Sequence, residues 1–124
     1  MSHFTRIRLQ LKNRAALRLA LADLDCAVEE NALVRGYQGA QFRADLVAKR
    51  EGCYDIGFID RQGYFEAVAD FWGLDLDWQQ FQQQLQQRYA YHTIAQSAVE
   101  QGFNVETVQE LEDGSLRVVV GAWQ

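Results

Sequence analysis

The side chains with the greatest chemical potential in this sequence lie close together near position 90. Within five positions the chain places a guanidinium, two phenols and an imidazole: Arg88, Tyr89, Tyr91 and His92. Arg88 and His92 are four residues apart, so on a helix they share a face. An arginine can bind a carboxylate through two hydrogen bonds, and a histidine can change charge near neutral pH. The segment therefore predicts a recognition patch.

A structural interpretation of the same segment competes with the functional one. Tyr89 and Tyr91 would then anchor a helix on a sheet through their rings. Arg88 would pair with a local acid, for which Glu29 and Asp55 are the candidates. The spacing alone leaves both interpretations open.

Two adjacent acids, Glu29 and Glu30, form a second group of candidates, followed five residues later by Arg35. Adjacent residues of a strand point to opposite faces, so these two carboxylates do not form a facing acid and base pair. We expect one of them to pair with Arg35 or Arg88 and the other to remain solvated. No catalytic role is assigned to either.

Tyr37, Tyr54 and Asp55 complete the candidate surface. The two tyrosines line one site if the strands that carry them are neighbours. The full set of candidate binding residues is Glu29, Glu30, Arg35, Tyr37, Tyr54, Asp55, Arg88, Tyr89, Tyr91 and His92.

Several kinds of site are disfavoured by what the sequence lacks. The cysteines and histidines are Cys26, Cys53, His3 and His92, and they are scattered without a CxxC or HxxxH pair. We therefore expect no metal ion and no iron–sulfur cluster. The nine glycines do not form a phosphate-binding series before a helix, and no GxSxG sequence occurs. We predict no cofactor.

Three blocks of the sequence resemble a known family. They are 28–37, which begins Val-Glu-Glu-Asn and ends Val-Arg-Gly-Tyr, 54–58, which reads Tyr-Asp-Ile-Gly-Phe, and 88–91, which reads Arg-Tyr-Ala-Tyr. With the opening Met-Ser-His-Phe-Thr and the closing Asp-Gly-Ser, they are similar to the hypothetical chloroplast open reading frame thirty-five family of plastids and cyanobacteria. The resemblance covers nearly the whole chain. It implies the cytoplasm of a cyanobacterium or the plastid stroma, and it supplies no catalytic residues.

The charges are distributed unevenly along the chain. Residues 1–22 carry five cations and no acid, so the remaining residues carry a net charge of −10 within a total of −5. This balance argues against duplex nucleic acid as a partner, although a small anionic ligand remains compatible with it. No apolar run approaches the roughly 18 residues of a membrane span. We expect a soluble intracellular protein.

The hydrophobic pattern predicts an α+β fold in one domain, residues 1–124. Alternation predicts strands at 5–11, 26–30, 33–37, 44–50, 54–59, 64–70, 103–111 and 116–123. Three- and four-residue spacing predicts a first helix from an Asn13 cap to Asp23, and a second from an Asp77 cap towards Gly102. An antiparallel sheet with both helices on one face would bury both apolar stripes. An elaborated ferredoxin-like arrangement fits this order of elements.

These features favour a small non-enzymatic binding or adaptor domain of a photosynthetic cell, with another protein as its partner. One alternative is an enzyme or ligand-binding protein with a pocket between the second helix and the sheet. There Arg88 would hold an anionic group, and His92, Tyr91 or Asp55 would move protons. Another is a structural subunit that assembles through an apolar loop or a sheet edge. The sequence does not predict the oligomeric state.

Overall fold

The fold is known from a computed structural model that describes residues 4–36, 41–52, 55–71 and 76–122. Within these ranges the strands are β1 (Phe4–Arg8), β2 (Ala27–Arg35), β3 (Gln41–Lys49), β4 (Ile56–Arg61), β5 (Tyr64–Asp70), β6 (Phe103–Glu110) and β7 (Leu116–Ala122). The helices are α1 (Arg14–Asp23) and α2 (Trp78–Glu100). The predicted α+β class is confirmed.

Five strands form one antiparallel sheet in the order β1-β5-β4-β3-β2. Strands β2 to β5 follow one another as a meander, and β1 pairs with the last of them. Strands β6 and β7 pair with each other in a separate sheet. The order therefore differs from the ferredoxin-like arrangement, in which the strand after the second helix joins the main sheet.

Both helices begin at the caps that the sequence predicts. The Asn13 side chain accepts a hydrogen bond from the Ala16 amide at 3.0 Å, and the Asp77 side chain accepts one from the Gln80 amide at 3.2 Å. Each cap satisfies an amide that the first helical turn leaves without a partner. The boundaries of the helices are thus set by local chemistry.

The main hydrophobic core lies between the helices and one face of the sheet. Its fully buried side chains include Leu17 and Leu21 of α1, Leu85 of α2, and Phe58 and Phe65 of the sheet. Burying each such side chain contributes about 1.5–3 kcal/mol to folding. This core positions α1 against α2 and so places the residues near position 90.

Strand β2 is continuous, whereas two short pieces were predicted in its place. Its ladder with β3 keeps one register from Ala27 opposite Lys49 to Arg35 opposite Gln41. Asn31, in the middle of the strand, has a φ of 48°. Asparagine tolerates this left-handed conformation better than most residues, and it interrupts the alternation from which strands are predicted.

The second face of the sheet is partly covered by the distal half of the β2–β3 hairpin. Ile56 and Phe58 belong to the main core, so Gly57 between them points away from the helices. A Cβ atom at Gly57 would clash with the side chains of Val34 and Ala44. The hairpin therefore folds back across β4, and the room beside Gly57 is filled by the chain itself.

A second, smaller core lies beneath this hairpin. Val34, Ala44 and Val47 are buried there, with Phe4 and Phe42 packed against them. The rings of Phe4 and Phe42 lie 6.0 Å apart, which carries the contact from β3 to β1. The hairpin thus spans the sheet from edge to edge on this side.

The β6–β7 hairpin packs against α2 rather than on the main sheet. Its turn is the predicted Asp-Gly pair, with Gly114 at a φ of 85°, a conformation that glycine adopts at little cost. The side-chain amide of Gln87 on α2 donates a hydrogen bond to the Gly114 carbonyl. In the part of the chain that the structure describes, no helix is long and apolar enough to span a membrane.

Candidate functional site

Arg88 and His92 bind the same carboxylate, which is not among the predicted candidates. Asp23, the last residue of α1, accepts hydrogen bonds from Arg88 Nε at 2.8 Å and His92 Nε2 at 2.6 Å through the same oxygen, Oδ2. Arg88 and His92 share a helical face as predicted. The predicted acids were wrong, because Arg88 pairs with neither Glu29 nor Asp55 but with Asp23.

The electrostatics of this group favour an ionised aspartate. Partial burial alone would raise the pKa of Asp23, but the hydrogen bonds from His92 and Arg88 outweigh it and hold the pKa below its ordinary value. The three side chains are partly buried, with exposed fractions of 30% for Asp23, 29% for Arg88 and 16% for His92. The cluster therefore links the end of α1 to the middle of α2.

The two tyrosines of this segment have different environments. The Tyr89 hydroxyl accepts hydrogen bonds from the backbone amides of Lys12 and Asn13, at 3.0 and 2.8 Å. Tyr89 thus anchors α2 at the start of α1 rather than on the sheet. The Tyr91 ring lies 4.8 Å from the Arg88 guanidinium carbon, a cation–π contact.

Arg35 and Asp55 form an ion pair whose carboxylate is fully buried. Arg35 Nε and Nη2 bind the two oxygens of Asp55 at 2.9 and 2.8 Å, and the Arg35 amide adds a third hydrogen bond at 3.0 Å. The Asp55 side chain is fully buried, whereas 58% of the Arg35 side chain is exposed. This pair clamps the end of β2 to the residue before β4, across the second face of the sheet.

Burial and hydrogen bonding act in opposite directions on Asp55. Burial would raise the pKa of its carboxyl, but the side-chain and backbone hydrogen bonds from Arg35 prevail and lower it. The same pair raises the pKa of Arg35. This ionised carboxylate accepts three hydrogen bonds from Arg35 and has no surface open to solvent, so it holds structure together.

Glu29 and Glu30 point to different partners, so the expectation that one of them pairs with Arg35 or Arg88 was wrong. Glu29 lies 3.3 Å from Lys49 Nζ, and Glu30 lies 3.7 Å from Arg14 Nε. Both acids are about half exposed. They are surface ion pairs, which contribute little to stability.

The predicted residues therefore fall into separate groups. In the described ranges, no hydrogen bond or ion pair joins Arg88 and His92 to Arg35 and Asp55. Tyr37 and Tyr54 lie outside the described residues. Among the residues that the structure describes, no group of three or more histidine, cysteine or carboxylate side chains could bind a metal ion.

Two cavities are lined by residues outside the predicted candidate set. One, of about 510 Å³, is lined by Arg8, Asp60, Arg61, Gln62, Tyr64, Phe65 and Glu66. Another, of about 350 Å³, is lined by Thr93, Ile94, Ser97, Ala98, Gln101, Phe103 and Val120. Two sequence features could have indicated these surfaces: the alternating arginines of β1 and the apolar residues of the last hairpin. What the sequence did not reveal was that residues of different elements meet there.

Comparison with known proteins places the chain in a family. A family model described as a protein of unknown function, DUF1257, matches residues 20–119. This chain belongs to that family. It is similar to the uncharacterized protein ycf35 of Guillardia theta, with 33% identity, and of Cyanophora paradoxa, with 30% identity, each alignment covering 100% of this chain and 99% of the relative.

The chain is also similar to the uncharacterized protein ycf35 of Pyropia yezoensis, with 30% identity over 99% of this chain and 98% of the relative. These relatives belong to a plastid-encoded family. The resemblance inferred from the sequence is thereby confirmed. No solved structure matches the chain.

Proposed function

We propose that this protein is a single-domain, non-enzymatic binding protein that recognises another protein in a cyanobacterial cytoplasm or plastid stroma. The observation that carries the proposal is an apolar surface between the second half of α2 and the β6–β7 hairpin. The relatives encoded in plastid genomes support this cellular setting.

The apolar surface is formed by large side chains that remain open to solvent. The exposed fractions are 46% for Ile94, 38% for Phe103 and 43% for Val120. Ile94, Phe103 and Val120 line the same 350 Å³ cavity. A contiguous apolar patch of this kind is typical of a protein interaction site, since scattered exposed side chains would not share a cavity.

The charges around this surface indicate the chemistry of the partner. Residues 93–122 contain five carboxylates and one cation, Arg117. The segment of the chain that carries this surface is therefore predominantly acidic. We take the partner to be a protein segment with apolar side chains flanked by lysine or arginine, because complementary charge speeds encounter and excludes acidic competitors.

The enzyme alternative finds less support in the contacts. Arg88, which would hold an anionic substrate, is bound to Asp23, and Asp55, which would move protons, is enclosed by Arg35. Phe81 and Leu85 fill the space between α2 and the main sheet. The residues named for catalysis are engaged within the chain.

The test compares two substitutions that remove equally exposed apolar side chains from helices. Ile94→Gln lies within the apolar surface, and Leu19→Gln, on α1, is the matched control, because 51% of Leu19 is exposed. Tagged wild-type and variant proteins are used for pull-downs from cyanobacterial lysate, followed by native mass spectrometry of the eluate. We expect a basic protein at fixed stoichiometry with the wild type and Leu19→Gln, and at least about tenfold less with Ile94→Gln.

A captured protein that Ile94→Gln retains in full would contradict the proposed surface. Light scattering over a range of concentrations tests self-association in parallel. A mass that doubles in the wild type and not in Ile94→Gln would instead identify the protein as a structural subunit that assembles with its own copies.

A further inference from the structure

The part of the second sheet face that the β2–β3 hairpin leaves open is a basic groove. Residues that oppose each other in an antiparallel ladder point to the same side. Arg8 opposes Glu66, and Arg61 opposes Tyr64. These four side chains therefore share one face, where they line the cavity of about 510 Å³. This groove is defined by Arg8, Arg61, Tyr64 and Glu66.

Glu66 is shared by two arginines, Arg61, which lines the cavity, and Arg6, which lies beside it, and neither forms a hydrogen bond with the carboxylate. Arg6 Nε lies 3.8 Å and Arg61 Nε 3.7 Å from Glu66 Oε1. Both distances exceed those of hydrogen bonds, and this oxygen accepts none in the structure. The guanidinium side chains are 55% and 51% exposed. Their N–H groups are therefore available to an anion from solution.

Two cations, Arg8 and Lys12, lie against the ring of Tyr64 in this groove. The Arg8 guanidinium carbon lies 4.7 Å, and Lys12 Nζ 4.9 Å, from the centroid of its ring. Cation–π contacts at these distances hold both cations in place without neutralising them. Asp60, the other acid that lines the cavity, accepts a hydrogen bond from the Gly63 amide in the β4–β5 turn. Counting the neighbouring Arg6 and Lys12, four cations thus face the two carboxylates that line the groove, Asp60 and Glu66.

We propose that this groove binds a small dissolved compound that carries more than one phosphate group. Arginine forks match phosphate oxygens in pairs, which a single ammonium does not. Arg8 on β1 and Arg61 on β4 stand on either side of β5 and are offset by two residues along it, so their backbones are about 12 Å apart at the usual strand geometry. Two long side chains at that separation can approach two neighbouring phosphate groups from opposite sides.

The charge of the rest of the molecule favours a small ligand over a long polyanion. The groove draws its cations largely from residues 1–22, whereas the remaining chain carries a net charge of −10. A nucleic acid that extended beyond the groove would meet this negative field, whereas a compound that fits the cavity would not. This inference does not depend on the apolar surface of α2.

Inorganic pyrophosphate is the probe, and its binding is measured by isothermal titration calorimetry at low ionic strength with the full chain. Arg61→Gln removes a cation from the groove. Arg18→Gln removes one from the exposed side of α1 in the same basic segment, and is the matched control. We expect Arg61→Gln to weaken binding about tenfold or more, and Arg18→Gln less than about twofold.

Glu66→Gln provides a test in the opposite direction. The carboxylate of Glu66 competes with an incoming anion for Arg6 and Arg61. Its replacement by an amide is expected to strengthen pyrophosphate binding several-fold. Circular dichroism verifies that each variant is folded, so that a change in affinity reports on the groove.

Several outcomes would overturn the inference. They are the absence of any heat of binding for the wild type, an equal weakening by Arg18→Gln and Arg61→Gln, and a glutamate-rich peptide that binds as tightly as pyrophosphate. Sedimentation with phosphatidic acid vesicles separates a lipid head group from a dissolved ligand. Vesicle binding that pyrophosphate does not displace would also count against the proposal.

Discussion

Asp55 illustrates how one buried charge can hold a folded element in place. Its carboxylate has no exposed surface, and all of its described hydrogen bonds come from Arg35. Removing a charge from water is costly, and a bidentate arginine with an added backbone amide offsets that cost. Because Arg35 is at the end of β2, the pair determines where the distal hairpin rests.

We predict that Asp55→Asn lowers the free energy of unfolding by about 2 kcal/mol. The amide keeps the size of the side chain but loses the negative charge and one acceptor oxygen. Arg35 is more than half exposed, so water can solvate it, and the loss is smaller than for a fully buried pair. Urea denaturation measures the change. Glu29→Gln, which breaks the exposed pair with Lys49, is the control and should change stability by less than about 0.5 kcal/mol.

The same pair makes stability depend on pH. The pKa of Asp55 is lower in the folded protein than its ordinary value of 3.8. Between the folded pKa and that value, the unfolded chain binds more protons than the folded one, so acid favours unfolding. Stability should therefore be constant above this range and fall as the pH drops below about 4. Urea denaturation at a series of pH values measures this dependence. The free energy of unfolding of Asp55→Asn should fall less steeply with decreasing pH than that of the wild type. An equally steep fall would show that other carboxylates cause the pH dependence.

At the scale of elements, the distal half of the β2–β3 hairpin replaces a third layer. One face of the sheet is covered by helices, and much of the other by this hairpin. The close approach requires the absence of a side chain at Gly57, where Val34 and Ala44 enter the vacant space. Twisted antiparallel strands allow such folding back without breaking the ladder.

We predict that Gly57→Val destabilises the protein by about 3 kcal/mol or more. The added methyl groups would overlap Val34 and Ala44, so the hairpin must move or the core must rearrange. Ala27→Val adds two methyl groups at an exposed position of β2 and serves as the control. Thermal unfolding monitored by circular dichroism compares the two, and equal melting temperatures would contradict this packing.

At the scale of the whole molecule, one long helix packs against two sheets that we expect to differ in stability. The main sheet lies between two cores, whereas β6 and β7 form an isolated pair with mostly exposed side chains. Two-stranded sheets are marginal unless another surface supports them, and here α2 provides that support. Local opening should therefore begin at the C-terminal hairpin.

Hydrogen exchange followed by NMR tests this difference within one sample. We expect the amides of β6 and β7 to exchange at a lower opening free energy than those of β4 and β5. A protein bound at the apolar surface of α2 should slow exchange in the hairpin and leave β4 and β5 unchanged. Equal protection of both sheets in the unbound protein would show that the hairpin opens only with the rest of the chain.

The sequence by itself determined the elements and the family. Alternation, helical spacing, the caps at Asn13 and Asp77 and the Asp-Gly turn depend on residues a few positions apart, so they can be recognised before folding is known. The exception, β2, was split in two because Asn31 breaks the alternation that such recognition needs.

Only the tertiary structure decided which side chains meet. Arg88 pairs with Asp23 because α1 packs on α2. Arg35 pairs with Asp55 because the hairpin folds back over β4. Arg61 lies near Arg8 because β5, which pairs with β4, also pairs with β1. A long arginine side chain can form an ion pair with any carboxylate within its reach. Sequence spacing therefore does not show whether Arg88 pairs with Glu29, Asp55 or Asp23. Packing of the apolar faces selects the partner, since it fixes the distances over which these charges interact.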